Sequence, residues 1–141
     1  MALAAVLAVA AGCRTSRPLV YPPVMEPQSM GELRGFLRES PVPVLAVFVS
    51  PGCSSCESVL PLLGRVMDDY GRSLDVARVN LDGVGQAIVE YDLLHVPTAI
   101  VFDRGREVSR RRGIQPQILF YRFIDDALAR AREERRQAQP T

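Results

Sequence analysis

The sequence contains no tryptophan and no lysine, and only one histidine, His95. Without lysine there is no Schiff-base chemistry and no P-loop, because both need a lysine amine at a fixed position. All 17 basic residues are therefore arginine, set against 16 Asp and Glu for a formal charge of +1. So small a net charge provides no overall field to recruit nucleic acid, and no nucleic-acid partner is expected. Disordered and collagen-like classes are also excluded, since 48% of the 141 residues are hydrophobic and one domain of that length buries a core. The one long apolar run with no charge, residues 1–12, is too short to cross a bilayer as a helix, which takes about 20 residues. Cysteine is scarce and odd in number: Cys13, Cys53 and Cys56.

Those first 12 residues read as a signal-peptide core. Ala10, Ala11 and Gly12 immediately before Cys13 resemble the lipobox of bacterial lipoproteins, although no Arg or Lys precedes the run and Ala10 stands where Leu is commonest. The resemblance implies that the Cys13 thiol is acylated and becomes the mature N-terminus, which accounts for the odd cysteine. Arg14 follows in place of the Asp that resembles an inner-membrane retention signal. The expected location is thus the cell envelope on its periplasmic side, at the outer membrane of a Gram-negative cell. Pro18, Pro22, Pro23 and Pro27 disfavour helix, so residues 13–28 read as a tether. At the other end, alternating charges over residues 131–141 read as a solvated tail.

Between them, residues 29–130 carry the pattern of one folded domain. Ser29 and Glu32 form a capping box ahead of a helix running to about Ser40, which Pro41 and Pro43 stop. Val44 to Val49 is an unbroken apolar run rich in β-branched residues, as in a strand buried on both faces. A helix from Cys53 to Gly71, a strand from Leu74 to Val79 and a short helix from Val84 to Tyr91 come next. Ala99–Phe102 and Glu107–Arg111 flank Asp103-Arg104-Gly105-Arg106 as a hairpin, and a last amphipathic helix begins near Pro116. The order α, β, α, β, α, β, β, α predicts an α/β fold, a three-layer α/β/α sandwich around a mixed sheet.

Cys53-Ser54-Ser55-Cys56 lies where the buried strand gives way to a helix. At a helix N-terminus, unpaired backbone N–H groups and the macrodipole favour thiolate over thiol, so Cys53 is the expected nucleophile. Cys56, one turn further in, is close enough to close a small disulfide ring and to resolve a mixed disulfide on Cys53. The redox-active Cys53–Cys56 pair then needs no other cofactor.

The surrounding spacing resembles that of the thioredoxin family. Pro61 lies five residues after Cys56, and Pro97, in Val96-Pro97-Thr98, lies 41 residues after it. Val76 to Asp82 resembles the family's third strand, Phe102 to Val108 its late hairpin, and Gly113 the glycine that follows. The resemblance implies a thioredoxin-like fold, a cis Val96–Pro97 peptide beside the disulfide, and a loop offering Val96 backbone groups to an extended substrate segment. It also implies protein thiols or disulfides as substrates and, in the envelope, a membrane electron donor or acceptor. A monomer is expected.

Departures from the family bear on mechanism. Val47 stands where thioredoxins carry a buried acid that relays a proton to the resolving cysteine. Gly52 replaces the tryptophan before the first cysteine, at the edge of the substrate site. Arg78 stands where a lysine pairs with the missing acid, and reads as a surface residue. Two other readings use the same cysteines: a redox-inactive adaptor with a structural disulfide, and a zinc or copper site in which His95 would join the thiolates. The arginines of the hairpin region (104, 106, 110, 111 and 112) read either as charged protection of an edge strand or as a contact for anionic lipid.

Overall fold

The structure, a computed structural model, describes residues 24–139. Residues 1–23, and with them the signal-like run and Cys13, lie outside the described residues. The elements are α1 (Met30–Glu39), β1 (Val44–Val49), α2 (Ser54–Tyr70), β2 (Asp75–Asn80), α3 (Ala87–Glu90), β3 (Thr98–Asp103), β4 (Arg106–Arg112) and α4 (Gln117–Gln137). They follow the predicted order, with a single 3-10 turn, Gly71–Ser73, added between α2 and β2.

The sheet has the order β2-β1-β3-β4, with β1 parallel to β2 and antiparallel to β3. All six residues of β1 are buried because helices cover both faces of this central strand, as its unbroken apolar run requires. Alternate side chains feed two cores. Leu45, Val47 and Val49 face α2 and α4, whereas Val44, Ala46 and Phe48 face α1 and the α3 segment. The Ser29 hydroxyl caps α1 by accepting the Glu32 N–H at 3.2 Å, as the capping box predicts. In the hairpin, Arg104 and Gly105 both take positive φ, and a side chain on Gly105 would meet the Arg38 stem at 2.6 Å. Only glycine meets both demands.

Two boundaries differ from expectation. The end of the tether is docked: Met25 forms a parallel bridge with Ala77, its N–H donating to the Val76 carbonyl and its carbonyl accepting from Arg78 N–H, while Glu26 pairs with Arg78. Backbone pairing at an edge strand is indifferent to side-chain pattern, so the prolines concealed it. The tail is likewise not free after residue 130. α4 continues to Gln137, with Ala131 fully buried, and Arg135 clasps the buried Asp103 through both carboxylate oxygens while donating to the Pro41 carbonyl. The alternating charges that look like a solvated tail thus include the partner of a buried acid.

Two crossed bonds lock α2 to α4. Tyr70 donates to Asp125 at 2.8 Å and Tyr121 to Asp69 at 2.6 Å. Burial and then these carboxylates push the Tyr121 hydroxyl up to about 12 and raise Tyr70 as well; burial and Glu90 push Tyr91 up to about 12. A tyrosine raised in the folded state stabilises fully below its unfolded value near 10, and the contribution is lost as pH rises through the folded value. No lysine titrates in the same window. Denaturation midpoints should therefore hold to about pH 9 and fall above about pH 10, and Tyr70→Phe with Tyr121→Phe should flatten that fall. An equally steep decline in the double variant would assign it to other groups.

Candidate active site

β1 ends at Val49 and the chain turns through Ser50, Pro51 and Gly52 before α2 begins. Gly52 has φ +74, a backbone that disfavours the tryptophan of the family pattern. The turn delivers Cys53 as the N-cap of α2, with its sulfur accepting the Cys56 N–H at 3.2 Å and lying 3.3 Å from the Ser55 hydroxyl. Its carbonyl accepts the N–H groups of Cys56 and Glu57. One backbone donor and one hydroxyl therefore meet the sulfur at the positive end of a 17-residue helix. That arrangement favours negative charge on Cys53 when the pair is reduced.

Cys56 forms a disulfide with Cys53 and is 3% exposed, within the core that α2 and α4 build on one face of the sheet. Cys53 is half-buried, so an incoming sulfur has access to it and not to its partner. Of the two serines between them, Ser55 touches the Cys53 sulfur and Ser54 is exposed. α2 continues without a break past Pro61.

β3 enters the sheet at the same end, because it runs antiparallel to β1 and Thr98 pairs with Phe48. The Val96–Pro97 bond before it is cis, as the resemblance implies. Two bonds fix this loop: Gly113 N–H donates to the Pro97 carbonyl at 2.8 Å, and the Thr98 hydroxyl to the His95 carbonyl at 2.6 Å. Neither backbone group of Val96 is hydrogen-bonded among the described residues, which leaves a donor and an acceptor open at the site. Gly52, Cys53, Cys56, Val96 and Pro97 thus occupy one end of the sheet.

A groove of about 200 Å3 runs along the disulfide, lined by Gly52, both cysteines, Glu57, Arg78 and Asn80. Glu57 and Asn80 join the site without a motif of their own to mark them. Position directly after the motif was the available signal for Glu57, whereas Asn80 is brought in by the parallel pairing of β2 with β1. Val47 is fully buried in the same core as Cys56 and, with Pro97, Ser58 and Gln115, lines a cavity of about 30 Å3. His95 is exposed, and among the described residues no three His, Cys, Asp or Glu side chains are grouped to hold a metal.

Most of the hairpin-region arginines are engaged by the protein itself. Arg110 pairs with Glu107 and donates to the carbonyls of Tyr91 and Asp92, Arg106 pairs with Glu134, and Arg111 lies 5.4 Å above the Phe123 ring.

A half-exposed helix-capping cysteine, a buried partner one turn on and a cis-proline loop at the same sheet end define a dithiol/disulfide domain of the α/β class. A family profile described as Thioredoxin matches residues 27–126, and the chain belongs to the thioredoxin family. It is 30% identical over 99 residues to Thioredoxin X, chloroplastic, of Arabidopsis thaliana, covering 69% of this chain and 54% of that protein. With Thioredoxin 1 of Nostoc sp. it shares 32% identity over 90 residues, 64% of this chain and 84% of the relative. Against the probable thioredoxin-2 of Caenorhabditis elegans the figures are 30% over 91 residues, 64% and 63%. The chain therefore spans about half of the first relative and most of the second.

Proposed function

We propose that this protein is a thiol–disulfide oxidoreductase acting on cysteines of exported cell-envelope proteins, held at the membrane by a lipid on Cys13. The observation that carries the redox reading is the asymmetry of the pair: Cys53 half-exposed with donors on its sulfur, Cys56 buried behind it. In the reducing direction the Cys53 thiolate attacks a substrate disulfide and expels one substrate thiolate. Cys56 then attacks the Cys53 sulfur, releasing the second substrate thiolate and leaving the Cys53–Cys56 disulfide. Two electrons pass to the substrate, and the reverse sequence oxidises a dithiol. The open backbone groups of Val96 supply a place for an extended substrate segment to pair. A membrane electron donor or acceptor sets the direction of flow.

The deciding measurement is the reduction potential of the pair. An exchanging couple should lie between about −270 and −120 mV, whereas a value below about −300 mV would make this a structural disulfide in an adaptor. Location is tested separately: Cys13→Ala should move the protein from the membrane to the soluble fraction without altering that potential. An unmodified, uncleaved Cys13 segment in the native host would overturn the anchor and leave the redox reading standing.

A further inference from the structure

At the end of the sheet opposite the disulfide lies a concavity of about 280 Å3 whose charged lining is three guanidiniums, those of Arg72, Arg132 and Arg135, with no carboxylate. The residues that form its rim explain its place. Val42 and Pro43 immediately precede β1, and Arg72 and Ser73 lie in the turn before β2. β1 and β2 are parallel, and Cys53 follows the far end of β1, so a strand length of roughly 20 Å separates the arginines from the redox site.

Arg135 is committed to Asp103, which it holds through both oxygens. Arg72 and Arg132 line the concavity, are exposed, and make no ion pair or side-chain hydrogen bond among the described residues, so both guanidiniums are available to an anion. Arginines lining one space suit a phosphate, whose oxygens accept paired N–H bonds from guanidinium forks. No aromatic side chain lines the space, so it lacks the stacking platform of a single-stranded nucleic-acid site.

The course of the chain selects among phosphate sources. Met25 pairs in parallel with Ala77, the third residue of β2, so Val24 lies towards the start of β2 and the chain enters the fold at the arginine end. Ten residues, 14–23, separate Val24 from Cys13 and span at most about 35 Å. The geometry points to an anionic phospholipid headgroup as the ligand of the Arg72–Arg132 concavity, docking the domain with this end on the membrane and the disulfide facing away. The choice of a lipid headgroup and the orientation rest on the lipid anchor proposed above; the anion site at the arginines does not.

The test uses the full chain carrying Cys13→Ala, with vesicles of phosphatidylcholine alone or mixed with phosphatidylglycerol. Binding should require phosphatidylglycerol, weaken with added salt, and fall roughly 30-fold in Arg72→Gln/Arg132→Gln, at about tenfold per 1.4 kcal/mol and about 1 kcal/mol for each arginine at the surface. Both positions are exposed, so thermal stability and disulfide exchange should not change. Equal binding to both vesicle types, or undiminished binding by the double variant, would overturn the site. Inorganic phosphate binding at these arginines without vesicle binding would make it a soluble-anion site and overturn the lipid assignment. Failure of the anchor would show differently, as wild-type protein lacking a lipid on Cys13 while the arginine-dependent binding persists.

Discussion

Cys53→Ser is expected to reduce insulin no faster than uncatalysed exchange, whereas Cys56→Ser should still attack and then accumulate as a mixed disulfide with its substrate. The prediction follows from access. The Cys53 sulfur is the one an incoming disulfide reaches, and the Cys56 N–H and Ser55 hydroxyl on it stabilise the thiolate that attacks. Cys56, 3% exposed, reaches only the sulfur of Cys53, so its loss removes the escape step and not the entry step. Mass spectrometry of the trapped species and non-reducing gels provide the readout. Trapping by both variants, or by neither, would reverse or abolish the division of roles. Ser55→Ala is a finer probe of the same sulfur. It removes the hydroxyl at 3.3 Å and keeps the backbone donor, so it should raise the Cys53 thiol and slow attack by far less than Cys53→Ser does.

The cysteine pair was legible in sequence because its chemistry needs no distant partner: a strand, a turn and a helix N-terminus are local features, and the apolar run before Gly52 announces them. Val44 to Val49 could be read as a strand buried on both faces for the same reason. What escaped was long-range. Arg135 in a charge-rich stretch looks solvated until the hairpin carries Asp103 beneath it. Met25 looks like linker because an edge bridge uses only backbone groups. Asn80 joins the groove through strand register, which depends on how β2 aligns with β1 and has no signature of its own. The hairpin arginines show the converse: Arg106, Arg110 and Arg111, close in sequence, go to separate partners, while Arg72, Arg132 and Arg135, far apart in sequence, line one space.

Val47→Asp should move stability and rate in opposite directions. Val47 is fully buried in the centre of β1, on the face that packs with Cys56, and borders the small cavity next to Pro97. A carboxylate there loses its water, which raises its pKa and lowers stability at neutral pH by about 3 kcal/mol or more. The sign with pH follows from that raised value. Above it the buried charge imposes the full penalty; as pH falls through it the acid becomes neutral, so the gap to wild type narrows in mild acid. The same group lies on the side of the sheet from which Cys56 is packed, and a base taking the Cys56 proton speeds its attack on the mixed disulfide. A well-placed base is worth about a hundredfold or more, and imperfect placement in a valine site leaves an expected gain of about tenfold in resolution near neutral pH. Single-turnover release from a preformed Cys53 mixed disulfide isolates that step from substrate binding. A folded Val47→Asp protein that resolves no faster would show that the Cys56 proton does not limit turnover from the Val47 side. Proton exchange would then be assigned to the groove of Glu57, Arg78 and Asn80, where Glu57→Gln should slow the same single-turnover step.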